Sequence, residues 1–263
     1  MELFFLFFLS FFLSSIWFWL IFEEDKHHAD PIYWLLYAVF LGILAAFLSL
    51  FVLKFILGNF LQISASDLSS ISDFNFFNDF QSLKLVIIVL LISAFVEEFF
   101  KFFTIWFLFS RYKNFEEPAD AMIYLSASGF GFAIIETFLK LLEAIFDSSL
   151  SSSQLVAAPL INIWSLGLFI VFLRFLGANL LHVIASSMIG YGFAVYRITR
   201  RFYPFFIAFF NASLLHFIFN FVIIIGGNIL FALPLLWAPL FVVISKVRRL
   251  DFFYDKRLLQ STN

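Results

Sequence analysis

Cysteine is missing altogether from the 263 residues, so the chain has no disulfide, no thiol nucleophile and no Cys-ligated zinc. Charge is scarce: Asp, Glu, Lys and Arg make up 13% of the chain, against about 25% in a typical soluble domain. The few basic residues cluster at the ends of apolar runs, which offers no nucleic-acid surface. Gly129 and Gly131 follow no strand and form no phosphate loop, and no motif for a nucleotide or redox cofactor is present. What remains is apolar. Hydrophobic residues are 63% of the sequence, 45 of them Phe, and the mean hydropathy is +1.02. One soluble core cannot hide that excess, and the natural unit becomes the membrane span of about 20 residues.

The expected fold is an all-α, polytopic membrane bundle of seven to eight transmembrane helices. Residues 1–250 form a single transmembrane catalytic domain, followed by a short polar tail at 251–263. Leu3 to Phe22 lacks the basic flank and cleavage site of a signal peptide and reads as a span. Asp30-Pro31 caps a second, which ends near Leu57. The Ser/Asp/Asn-rich stretch 59–83 is a loop. Spans follow from about Lys84 to Phe109 and from about Asp120 to Phe146, where DSSLSSSQ forms a turn. Gly177 to Tyr196, Tyr203 to Ile225 and Ile229 to Ser245 are the remaining clear spans. The apolar run 155–175, with Pro159, Asn162 and Arg174, either crosses, which gives eight spans, or is re-entrant or interfacial, which gives seven. Retention of Lys and Arg on the cytoplasmic side puts RITRR (197–201) and the C-terminus in the cytoplasm. Seven crossings also bring Lys26, Arg111 and Lys113 inside. They put Glu97 and Glu136 near mid-membrane and His182 and His216 in the outer half, close enough to converge, so seven is the favoured count.

Charges within spans are the place to look for chemistry. Each is unfavourable by about 2.5–3.5 kcal/mol on insertion scales, so such residues face the bundle interior and usually carry function. In VEEFFK, Glu97 and Lys101 are four apart, on one helical face, and can pair, with Glu98 rotated by about 100°. A structural ion pair is the plain reading. A general base at Glu97 that activates water is the sharper one. Glu136 continues the small-residue stretch SASGFGFAIIE, whose glycines admit close helix packing. His182 and His216 lie in two further spans, with Asn220 one turn beyond His216. Together with Glu136 the histidines could be three ligands of a catalytic zinc. Equally, His216 and Asn220 could stabilise an oxyanion without metal. His27 and His28 lie in a charged loop and read as solvated.

EEFFK (97–101), FAIIE (132–136), His182 before a small-residue stretch and HFIFN (216–220) follow in order on successive helices. This pattern resembles the PrsW family of intramembrane proteases, related to the CAAX prenyl protease and Abi (CPBP) membrane proteins, over roughly residues 30–250. The chain departs from the family's D-G-x-x-Y-G pattern at Ala121 and Leu125. The resemblance implies an intramembrane endopeptidase acting on membrane-anchored proteins, anti-sigma factors among them. Glu97 would activate water, Glu98 would support it, and Lys101 would assist. Glu136, His182, His216 and Asn220 would bind Zn2+ or polarise the scissile carbonyl. Buried Glu and His also build proton- or ion-coupled transporters, although no internal repeat of the transporter kind is visible. A non-catalytic relative would have little use for so much buried charge.

Overall fold

The computed structural model describes residues 2–23, 31–63, 80–111, 117–152, 163–226 and 229–261. These residues are helical without a strand. In chain order the helices are α1 (Glu2–Phe22), α2 (Ile32–Phe55), α3 (Phe80–Arg111), α4 (Asp120–Ser152), α5 (Ile163–Arg174), α6 (Leu180–Thr199), α7 (Tyr203–Gly226) and α8 (Pro234–Ser261). Because α5 runs into α6 through one π-helical turn, Phe175–Asn179, they make seven rods. Five of these are long and apolar enough to cross a membrane: Phe4–Phe22, Ile32–Phe60, Asp120–Glu143, Gly167–Thr199 and Tyr203–Ile225. The chain is a multi-pass membrane bundle.

Helix α2 shows how such a sequence sorts itself. Its buried face is Leu35, Ala38, Leu41, Gly42, Ala45, Ala46 and Ser49, mostly small. The opposite face carries Leu36, Phe40, Phe47 and Phe51, the last 72% exposed. A soluble helix hides its bulk. Here small residues face the protein and aromatic bulk faces the lipid, because lipid offers no hydrophobic reason to bury Phe and packing rewards close backbones. Much of the phenylalanine excess is accounted for in this way.

Helix α4 is the hub, packed against α1, α2, α5 and α6, while α6 also meets α7 and α8. Missing Cβ atoms set two of its crossings. A Cβ on Gly42 would overlap the Ser128 carbonyl, and one on Gly129 would meet the His182 carbonyl and, at 2.6 Å, the Ser186 hydroxyl. The Ser126 and Ser187 hydroxyls are in contact across the α4–α6 seam. Ala121 and Leu125, where the sequence departs from the family pattern, are fully buried. Gly190 makes room against Ala121.

Several boundaries differ from those read in the sequence. Residues 163–174 form neither a separate crossing nor a re-entrant loop; they begin the rod that continues to Thr199, and residues 155–162, with Pro159 and Asn162, lie outside the described residues. The expected turn after Phe146 does not occur, since α4 continues to Ser152. Serine is a weak breaker when neither Gly nor Pro accompanies it. Helix α8 includes residues 251–261, the stretch read from the sequence as a short polar tail. The bulk of the 59–83 loop, at 64–79, and His27 and His28 are outside the described residues.

Candidate active site

Helices α3, α4, α6 and α7 each send charged or imidazole side chains into one buried polar cluster. Glu98 and Lys101 on α3 are completely buried, and the Lys101 ammonium donates to Glu98 Oε1 at 2.5 Å. Lys101 therefore pairs with Glu98, not with Glu97 as the four-residue spacing suggested. Three-residue spacing also shares a helical face, and the histidines on α6 and α7 lie on that side. Glu98 Oε1 accepts a second hydrogen bond from His216 Nδ1, at 2.8 Å. Lys101 Nζ reaches His182 Nδ1 at 3.1 Å and stands 5.0 Å from the centre of the Phe132 ring.

A carboxylate only accepts, so the ring nitrogen facing it donates. His216 donates through Nδ1 to Glu98, and its Nε2 faces Glu97 Oε2, 3.6 Å away. His182 accepts from Lys101 at Nδ1 and donates through Nε2 to Glu136 Oε2 at 2.6 Å. The two rings stand edge to face, with centroids 5.1 Å apart.

The same Glu136 Oε2 also forms an ion pair with Arg174 Nη2 at 2.7 Å. Arg174 Nε donates to Thr137 Oγ1 at 2.8 Å, and Thr137 donates in turn to Asn179 Oδ1 at 2.9 Å. The Asn179 amide then donates to Ser14 on α1 at 2.5 Å. A polar chain thus runs from α1 to His182 by way of the π-helical turn, a feature that often marks functional sites. Sequence reading noted Arg174 only as part of an apolar run. A lone arginine among apolar neighbours was the available signal.

Of the three carboxylates, Glu98 has Lys101 and Glu136 has Arg174. Glu97 has no Lys or Arg within 4 Å among the described residues, and its buried Oε2 has no hydrogen-bond partner. Glu97, His182 and His216 each offer one ligand atom, and these atoms lie within 4.8 Å of one another. Two imidazoles and a carboxylate are the donor set of catalytic zinc sites, and the uncompensated charge of Glu97 suits a cation. These residues fit a divalent metal, provided His182 exchanges one of its two ring partners. The carboxylate grouped with the histidines in this set is Glu97. Glu136, the one proposed from sequence, contacts His182 Nε2 and Arg174.

A cavity of about 750 Å³ opens beside the cluster, lined by Glu136, Arg174, His182, His216 and Asn220, with Leu181 and Phe219 among its apolar walls. Asn220, one turn beyond His216, borders this space with both histidines. The structure brings all the sequence-derived candidates into one neighbourhood, five of them joined by direct polar contacts.

No curated protein and no solved structure matches the chain significantly. A protein family does: residues 30–244 match the PrsW-protease family, described as the PrsW family intramembrane metalloprotease. That match covers most of the sequence and every residue of the polar cluster except Ser14 on α1. The chain belongs to the PrsW family of intramembrane metalloproteases, membrane-embedded peptidases.

Proposed function

We propose that this peptidase cuts single-span, membrane-anchored proteins, of which anti-sigma factors are one class, in the cavity bordered by His182, His216 and Asn220. The observation that carries this reading is the cluster of Glu97, His182 and His216 beside a cavity large enough for a stretch of unwound peptide. In this reading Glu97, His182 and His216 hold a divalent metal, with zinc suited to the donor types. Such a metal supplies a polarised water and a Lewis acid for the scissile carbonyl.

The chain's own groups do the rest. Glu98 accepts from His216 Nδ1 and so turns Nε2 toward Glu97, where the metal would sit, the orienting role a carboxylate plays behind a ligating histidine. Arg174 holds Glu136 against His182. Glu136 borders the cavity and is the carboxylate available to take a proton from the attacking water and return it to the leaving amine. The Asn220 amide donates to the carbonyl oxygen as negative charge develops there.

One observation favours a second, metal-free reading: both nitrogens of His182 already have partners in Lys101 and Glu136. In that case Glu97 is the base and the histidines only polarise. Purified protein in liposomes with a panel of single-span substrates separates the two. Glu97→Gln is expected to lower cleavage by about 10²–10⁴-fold in either case. A chelator should abolish wild-type cleavage, with recovery on adding Zn2+, only in the first. Full activity in Glu97→Gln would defeat both.

A further inference from the structure

A second cavity, of about 360 Å³, lies away from the polar cluster, between α6, α7 and α8. Its walls are mostly apolar, among them Met188, Ile207, Ala208 and Val243, and its volume is in the range that holds small ligands. One cation faces it. Lys246, half-buried on α8, donates to the Tyr191 hydroxyl at 3.2 Å, and its ammonium lies 4.6 Å from the centre of the Tyr191 ring. No carboxylate lies within 4 Å of Lys246 among the described residues. Among the described lysines, Lys101 has Glu98 and Lys140 has Glu143, whereas Lys54 and Lys84, also without a carboxylate within 4 Å among the described residues, are exposed. Lys246 is the half-buried one of these three.

A cation against an apolar cleft, with an aromatic face but no counter-charge, is incomplete. Lys246 stands one residue past Ser245, where the last span read from the sequence ends, at the level where a lysine reaches toward lipid headgroups, and a ring face together with a neutral hydroxyl does not neutralise it. The cleft adjoins the turn between α6 and α7, because Tyr203 and Pro204 at the start of α7 border it. Arg200 and Arg201 precede them, separated by Phe202 alone, and are exposed. This end of the bundle therefore combines an apolar slot with a rim of positive charge.

We infer that the cleft is a binding site for an anionic phospholipid, with an acyl chain between α7 and α8 and the phosphate on Lys246 and Tyr191. The apolar walls suit a hydrocarbon chain and not a free anion. The charge of Lys246, reinforced by Arg200 and Arg201, selects an anionic headgroup over a zwitterionic one. Since α6 carries His182 and α7 carries His216, the occupant would wedge against the two helices that bring the histidines together. The site is independent of the catalytic reading.

The test is native mass spectrometry of the full-length protein released from detergent micelles doped with equal amounts of phosphatidylglycerol and phosphatidylcholine, with thermal unfolding in parallel. Wild type should retain phosphatidylglycerol preferentially and gain thermal stability from it. Lys246→Met should weaken that retention by about fivefold or more, and Val242→Trp, which narrows the exposed rim while keeping the lysine, should weaken it too. Equal retention of both lipids, or retention in Lys246→Met equal to wild type, would overturn the proposal. Full displacement of the lipid by inorganic phosphate would reassign the site to a free anion, and dimers sensitive to Lys246→Met would reassign it to a second copy of the chain.

Discussion

At the scale of single residues, the Glu98–Lys101 pair separates folding from catalysis. Glu98→Gln leaves Lys101 charged and buried without its counter-ion, which destabilises by about 3–5 kcal/mol. The double change Glu98→Gln with Lys101→Met removes both charges and should restore much of the unfolding temperature in detergent. Cleavage should remain low, because an amide orients His216 less firmly than a carboxylate. If the double variant unfolds as early as the single one, the pair is not the source of the lost stability. These residues were legible in the sequence, since a charge in an apolar run stands out whatever the fold. Their partners were not. Lys101 pairs with Glu98, not Glu97, on the side of histidines 81 residues beyond Lys101 and 118 beyond Glu98, and helical spacing alone holds no information about that. The Ser14–Asn179–Thr137–Arg174 chain escaped for the same reason: each member is ordinary until a distant helix arrives beside it.

At the scale of elements, close backbones replace hydrophobic burial as the source of cohesion. Gly42→Leu, at the α2–α4 crossing, has to push the Ser128 backbone away and should cost about 1–3 kcal/mol, read as a lowered midpoint of thermal unfolding. Gly58→Ala is the matched control, because nothing lies within 4 Å of a Cβ there. Equal effects from the two would mean that close approach does not hold α2 to α4. The small-residue stretch of α4 was readable as a packing surface, but the helix it met was not. The rod from Ile163 to Thr199 was hidden by its π-helical turn. Arg174, Gly177 and Asn179 look like a boundary between two apolar runs, whereas the helix widens by one residue and continues. At 1.5 Å per residue the rod is roughly 55 Å long, well beyond the hydrocarbon thickness of about 30 Å, so it tilts or projects.

At the scale of the whole molecule, the absence of cysteine makes topology measurable without any background substitution. Single cysteines at Arg200 and at the C-terminal Asn263 are expected to resist a membrane-impermeant thiol reagent in intact cells and to react once the membrane is opened. Labelling in intact cells would invert the orientation drawn from the basic flanks. The overall class, a helical membrane bundle with its charges inward, followed from composition because no soluble core could absorb that much apolar surface. The intrahelical position of the Glu98–Lys101 pair has a further bearing on biogenesis. The two partners are three residues apart on α3, so they can neutralise each other while that helix is still alone at the translocon, and the charge burden of insertion is lightened before any neighbour exists. His182 and His216 are synthesised 81 and 115 residues after Lys101. A nascent chain therefore carries Glu97 and Glu98 into the bilayer before the imidazoles that meet them have been made.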